Sequence, residues 1–246
     1  MQTTLGRLGL AMSLSVGLLA SASAHEVLVN GNFETGNFSG WTASSTQTSP
    51  FQASFGDGRN AAIANSTSGQ PAWYVRNQAA NYFGTPATPI AGYSAFNGFD
   101  GSGGNFTLSQ GFSLTGNLSS ALLGFTFGTQ ATYSGTNRTF SVDVMNAAGS
   151  AALANLYAFV LPQSSTTWTL HDISLDVAAK LNALGAGNYR LQFTEVIPGN
   201  YTGPAQFAID NISLNVNNAV PEPSSIALVG AAGLALLALR RNRRAR

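Results

Sequence analysis

Phe207-Ala208-Ile209-Asp210-Asn211-Ile212-Ser213-Leu214-Asn215-Val216 holds two alternating runs that do not share a phase. Residues 207 and 209 put apolar side chains on one face. Residues 212, 214 and 216 do the same after the alternation slips at Asp210-Asn211. Successive strand side chains point to opposite faces, so a slip of one residue would turn the second run outward unless an extra residue is inserted. That insertion is a β-bulge. The stretch predicts a half-buried strand, bulged at Asp210-Asn211, with a carboxylate turned out of simple alternation. A twist-correcting bulge with a solvated aspartate is the other reading of the same pattern.

The strand signal repeats upstream. In Thr139-Phe140-Ser141-Val142-Asp143-Val144 the residues 140, 142 and 144 share a face, as do Tyr189, Leu191 and Phe193 with Arg190, Gln192 and Thr194 opposite. Similar runs occupy 26–30, 61–64, 72–76, 106–112, 122–127, 156–161 and 167–173. Only 177–184 has helical spacing, and Gly185 stops it. Many short strands parted by Gly, Asn and Ser argue for an all-β chain folded as a β-sandwich over residues 25–219. No period repeats along the chain, which argues against solenoids and propellers.

Composition narrows the function. Of 246 residues only 9% are charged, against about 25% in an ordinary soluble domain. Between 25 and 219 there are five basic and nine acidic residues, a net of −4, and the remaining basic residues sit at the two ends. A nucleic-acid partner is disfavoured, because its electrostatic footprint needs basic residues on the folded part. With no Cys, thiol catalysis, zinc–thiolate sites and disulfides are excluded. The two histidines are His25 and His171, and His171 and Asp172, adjacent in a strand, point to opposite faces. No Gly-x-Ser-x-Gly elbow occurs, and no acidic pair sits in a glycosidase motif. Asp100-Gly101-Ser102-Gly103-Gly104-Asn105 lacks the residues of an EF-hand or a P-loop and reads as an inter-strand loop. The expectation is a protein without catalytic activity.

The ends carry addresses. Arg7, an apolar run from 8 to 20, and Ala22-Ser23-Ala24 have the parts of a secretory signal peptide, 1–24, removed after Ala24. At the other end Val220-Pro221-Glu222-Pro223 precedes an apolar stretch, 224–239, and an Arg cluster. Sixteen helical residues span ~24 Å at ~1.5 Å each, short of a ~30 Å hydrocarbon core. The basic end holds the C-terminus inside while 25–219 lie outside. A short weak span with a basic stop suits a processing signal. Together, Pro-Glu-Pro, the hydrophobic helix and the Arg run of 220–246 resemble the PEP-CTERM sorting signal. That resemblance implies an exosortase as processing partner, Val220, Pro221, Glu222 and Pro223 as its recognition motif, and a Gram-negative bacterium that makes exopolysaccharide. It also implies transient residence in the inner membrane, then the cell surface or extracellular matrix.

A second resemblance rests on Val29-Asn30-Gly31-Asn32-Phe33-Glu34, Trp41, Thr167-Trp168-Thr169 and the closing strand already quoted. These look like galactose-binding-like jelly rolls, the fold of carbohydrate-binding modules of the xylanase-associated type. The resemblance implies a structural calcium where the first and last strands meet, with Glu34 and Asp210 as side-chain ligands and backbone carbonyls completing the shell. Calcium takes ~6–8 oxygen ligands, a number that two carboxylates and carbonyls supply. The family's sugar-binding residues find no matching motif here.

Aromatics crowd 73–96, and Trp73, Tyr82 and Tyr93 are candidate glycan-binding residues because flat rings among amides stack on sugars. Core packing is the competing use of the same rings. The sequence thus predicts an exported, non-catalytic surface or exopolysaccharide-matrix protein. A calcium-stabilised, lectin-like carbohydrate-binding module is the alternative, and a polysaccharide hydrolase comes third.

Overall fold

A computed structural model describes residues 24–46, 73–77, 89–99, 103–131, 137–161, 165–198 and 205–219, together with Gly233 and Arg240. Ser23–Ala219 form one compact unit. Its elements are β1 (His25–Glu26), β2 (Thr42–Ser45), β3 (Trp73–Asn77), β4 (Tyr93–Phe99), β5 (Gly104–Leu114) and β6 (Leu118–Ala131). They continue with β7 (Arg138–Asn146), β8 (Ala152–Leu161), β9 (Ser165–Asp176), α1 (Ala178–Leu184), β10 (Gly187–Ile197) and β11 (Ala205–Asn218). One sheet runs β3-β4-β11-β6-β9 with β1 also on β11, and the other runs β2-β5-β10-β7-β8. Every pairing is antiparallel. The architecture is a β-sandwich, as the alternation predicts, of the jelly-roll kind that the resemblance implies.

The inner faces meet in an aromatic core. Phe127 and Phe140 lie 5.0 Å apart, Phe140 and Phe207 4.9 Å, and Phe125 and Phe193 5.5 Å edge-on. These rings come from β6, β7, β10 and β11, so both sheets are fastened by the same cluster. Each buried ring contributes apolar area and a geometry-specific ring contact of about 1 kcal/mol beyond it. The helix predicted at 177–184 is present as α1. The Asp176 carboxylate accepts from the Ala178 N–H at 2.9 Å, Leu181 is buried, and Gly185 ends the helix with φ 78°.

β11 carries the predicted bulge. Its register with β6 shifts between Asp210 and Ser213, and Asn211 takes φ 53°. Ile209, Ile212, Leu214 and Val216 are all buried, so the extra residue restores the core face. The bulge also divides one edge of β11. β4 pairs with residues 205–209 and β1 with 215–216, which leaves the bulge open to the segment that follows β1.

Two expectations are corrected. The strand expected over 26–30 pairs only at His25–Glu26, because beyond it the Gln110 side chain does the work of a neighbouring strand. Gln110 Oε1 accepts from the Val29 N–H at 2.6 Å and Nε2 donates to the Val29 carbonyl at 2.9 Å. β4 escaped the alternation test because Ser94, Ala95, Phe96 and Asn97 are all buried, and a strand covered on both faces shows no period of two. The run at 61–64, the signal segment 1–23 and the tail from Val220, with its hydrophobic stretch, lie outside the described residues apart from Gly233 and Arg240. Among the described residues no helix is long and apolar enough to cross a membrane.

Candidate cation site at the strand bulge

The segment after β1 folds onto the bulge. Phe33 is fully buried, against Phe38 at 6.0 Å and Trp41 at 5.8 Å, and it anchors the loop in the core. Trp41 Nε1 donates to the Val29 and Asn30 carbonyls at 3.0 and 3.1 Å, and Asn30 Nδ2 donates to the Asn37 and Ser39 carbonyls. The loop turns through positive φ at Asn30 and Phe33, both 51°. Its contact with β11 is backbone to backbone: the Ile212 N–H donates to the Gly31 carbonyl at 2.9 Å. A Cβ at Gly31 would overlap the Ile212 carbonyl oxygen, so only glycine lets the two chains approach this closely.

This docking brings Glu34 to the start of β4. Glu34 Oε1 accepts from the Tyr93 N–H at 3.1 Å, and a side chain at Gly92 (φ +74°) would strike that carboxylate. Asp210 lies one step past the Ile209–Ala95 pair, beside Ser94 on the same face of the sheet. Asp210 is 3% exposed, and its Oδ1 and the Ser94 hydroxyl have no hydrogen-bond partner among the described residues. Burial pushes the Asp210 carboxyl up to about 7; the Asn211 N–H pulls it down, and the Glu34 charge pushes it further up. The two carboxylates expected to share a site therefore do lie within electrostatic reach of each other.

The donor set suits a hard cation. A buried carboxylate oxygen with no donor, a second carboxylate that raises its pKa, and an unpartnered hydroxyl are oxygen donors whose mutual repulsion a cation would relieve. Glu34, Asp210 and Ser94 would hold it, and no cluster of three or more His, Asp or Glu exists among the described residues, so neutral oxygens must fill the shell. Sequence reasoning missed Ser94 and Gly92, since neither belongs to a motif.

The other expected residues are dispersed. Trp73 is 4% exposed and packs edge-on against Phe207 at 6.0 Å, so its ring faces the core instead of solvent. Tyr93 is half-buried against the same core, and Tyr82 lies outside the described residues. His171 stacks on Phe127 at 4.6 Å between the sheets, while Asp172 accepts from Thr126 Oγ1 at 2.7 Å on the outer face, so the two do point apart. Burial lowers the His171 pKa.

β11 ends at Asn218, and the Ala219 N–H donates to the Asn117 carbonyl at 2.7 Å, closing the sandwich immediately before Val220-Pro221-Glu222-Pro223. Residues 219–244 match the PEP-CTERM protein-sorting motif. The PEP-CTERM motif implies export, exosortase processing and a surface or membrane-associated location in a Gram-negative bacterium. The four motif residues themselves lie outside the described residues. No curated protein matches the chain. Among solved structures, TmCBM61 in complex with β-1,4-galactotriose is similar at 18% identity over 77% of this chain and 97% of that one, with TM-score 0.43. A family 11 carbohydrate-binding module from Clostridium thermocellum is similar at 10% identity over 82% and 100%, with TM-score 0.37. A cyclase from Fischerella sp. TAU is similar at 13% identity over 81% and 100%, with TM-score 0.46.

Proposed function

We propose that this chain is a non-catalytic component of the cell surface or exopolysaccharide matrix, delivered by exosortase processing of its PEP-CTERM tail. The observation that carries the reading is the sorting motif at 219–244, which begins one residue after the last strand of the sandwich. The last strand ends at Asn218, so every described strand of the sandwich precedes the motif. In this reading a calcium ion on Glu34, Asp210 and Ser94 fastens the opening loop to the bulge, which suits an exported chain without disulfides. The test is fractionation of the producing cells with and without the exosortase. Loss of the enzyme should leave the chain in the inner membrane with residues 220–246 attached. An unchanged location and an unchanged C-terminal mass would sink the reading.

A second reading, a carbohydrate-binding module, is supported by the outer face of the β2-β5-β10-β7-β8 sheet. Ser44, Thr107, Thr194 and Ser141 form one cross-strand row, and Thr42, Ser109, Gln192, Asp143 and Asn155 form the next. Strands repeat at ~4.8 Å and alternate residues at ~7 Å, so the face is a lattice of hydroxyls and amides around one carboxylate, Asp143, with the Arg190 guanidinium laid on Ser109. Such a face suits a neutral polyhydroxylated polymer. Retention of the full chain on the producing cell's exopolysaccharide, with calcium and with chelator, tests it. Absence of retention in both would leave the surface-component reading alone.

A further inference from the structure

The last strand ends in a clamp. Asn217 opposes Ser120 and Asn218 opposes Leu118, which leaves Ser119 out of register, and the Ala219 N–H donates to the Asn117 carbonyl at 2.7 Å. Side chains tie the same few residues again. Ser119 Oγ donates to the Asn217 carbonyl at 3.3 Å, Asn217 Nδ2 to Ser120 Oγ at 2.7 Å, and Thr115 Oγ1 to Asn218 Oδ1 at 3.4 Å. From α1, Asn182 holds Leu118 on both sides. Its Oδ1 accepts from the Leu118 N–H at 2.7 Å and its Nδ2 donates to the Leu118 carbonyl at 2.9 Å. β10 begins at the same place, with Gly187 opposite Leu114 and Ser113 Oγ donating to Asn188 Oδ1 at 2.7 Å. The turn between β5 and β6, the end of α1, the start of β10 and the end of β11 therefore make one end of the sandwich.

Two features of this end point to what meets it. The first is spacing. The PEP-CTERM match begins at Ala219, a residue still bonded to the sandwich, and Pro221 follows two steps later. Two residues reach at most about 7 Å. An enzyme that closes around Pro-Glu-Pro has walls at least one element thick, about 10 Å for a helix with its side chains. It has no room to grip the motif without touching the fold just before it. The second feature is chemistry. The segments 113–121, 181–189 and 211–219 contain no Asp, Glu, Lys or Arg, and the centres of protein interfaces are depleted in charge. Thr115, Asn117, Ser119 and Asn182 are exposed there. We propose that this uncharged end, 115–119 with 182–188 and 217–219, is the surface on which the processing enzyme docks while it reads the tail. The proposal rests on the exosortase reading above and adds that the enzyme contacts a folded surface as well as a linear motif.

The test follows the full chain in the producing cells, after a pulse of synthesis, by the rate at which 220–246 are lost. Thr115→Lys with Ser119→Lys places charge on this end, and Thr115→Glu with Ser119→Glu places the opposite charge. Both residues are exposed, so Tm should stay within about 2 °C of the parent. Both pairs should slow processing severalfold. Ala158→Lys with Val160→Lys, exposed on β8 towards the other end of the sandwich, should not. A ten-residue Gly/Ser spacer between Ala219 and Val220, with a mean reach of about 18 Å, should restore the rate in each slowed pair, because the enzyme then stands off from the fold. Parental rates in both pairs, or slow processing that the spacer does not relieve, would overturn the proposal. So would opposite effects of the two signs, which would assign the end to charged lipid headgroups. A parent chain that keeps 220–246 defeats the sorting reading itself, so the two failures are distinct.

Discussion

The charge on Glu34, from the loop after the first strand, raises the pKa of Asp210 on the last. The relationship exists because two backbones touch where Gly31 meets Ile212, and because Asp210, the last residue in register before the bulge, alternates with Ile209 and so faces away from the core row on the side of Ser94. The domain's sequence ends are thus joined by a backbone hydrogen bond and by a pair of carboxylates that repel each other. A cation changes the second term from a cost to a tie.

That sign can be followed with pH. Asp210 has an ordinary value of 3.8 and is pushed up to about 7 in the fold, so the protonated form is the one the fold prefers. The associated stability is fully present below about pH 4 and is lost as pH rises towards 7. In chelator, the full chain should melt higher at pH 5 than at pH 7.5. Calcium binds the ionised form, so its stabilising effect should grow over the same interval. Asp210→Asn should melt alike in calcium and chelator. A native chain whose Tm at pH 7.5 ignores calcium would eliminate the site.

The docking itself has a steric test. Gly31→Ala places a methyl group on the Ile212 carbonyl oxygen, where no flexible side chain can yield. Backbone must move, at a cost of about 3 kcal/mol or more, equivalent to roughly 6–12 °C in Tm for a domain of this size. The loss of calcium response should accompany it, because Glu34 rides on the same loop. Thermal unfolding of the variant with and without calcium checks both effects together. A Tm within 2 °C of the parent would contradict the close approach.

How much of this was readable in advance depends on which residues carry it. The β11 slip at Asp210-Asn211 disclosed both strand and bulge, because the large apolar residues on either side of it, Phe207 and Ile209 before and Ile212, Leu214 and Val216 after, all face the core. The run from Ser94 to Asn97 disclosed nothing, since β4 is covered on both faces and its pattern has no period. Glu34 and Asp210 were legible through a resemblance, and their approach is borne by geometry that no local pattern encodes: a glycine with no room for a Cβ and a tyrosine N–H. For Trp73 the sequence offered both the core and a glycan platform, and its core place is fixed by Asn97 and Phe207, which come from strands distant in sequence. The tail was the most legible part, as a sorting signal must be read as sequence by its enzyme.

Glu195 supplies a second pH effect. Burial pushes it from 4.5 up to about 7 while Arg138 pulls the other way, so the fold again prefers the protonated acid and loses stability as pH rises from about 4.5 to 7. Glu195→Gln should flatten that part of the pH–Tm curve. Its absolute Tm also reflects the lost attraction between that carboxyl and the Arg138 guanidinium, so the slope is the informative quantity. Measured in the Asp210→Asn background, where the other carboxyl is silent, an unaltered slope between pH 5 and 7.5 would show that Glu195 does not titrate there.

The glycan reading and the core reading of Trp73 make opposite demands. As a buried ring against Phe207, Trp73→Ala should cost about 3–5 kcal/mol of stability, measured by denaturant unfolding, because a cavity opens between the sheets. A surface platform residue would lose ligand and keep its stability. For the polymer face the expectation is reversed: Gln192→Ala with Thr194→Ala, both pointing away from the core between Leu191, Phe193 and Glu195, should leave unfolding within about 1 kcal/mol of the parent. If that face holds the polymer, the pair should cut retention on exopolysaccharide severalfold. Retention that survives the pair but falls on substitution of Tyr93 would move the contact to the half-buried ring whose N–H bonds Glu34, and so next to the proposed cation site.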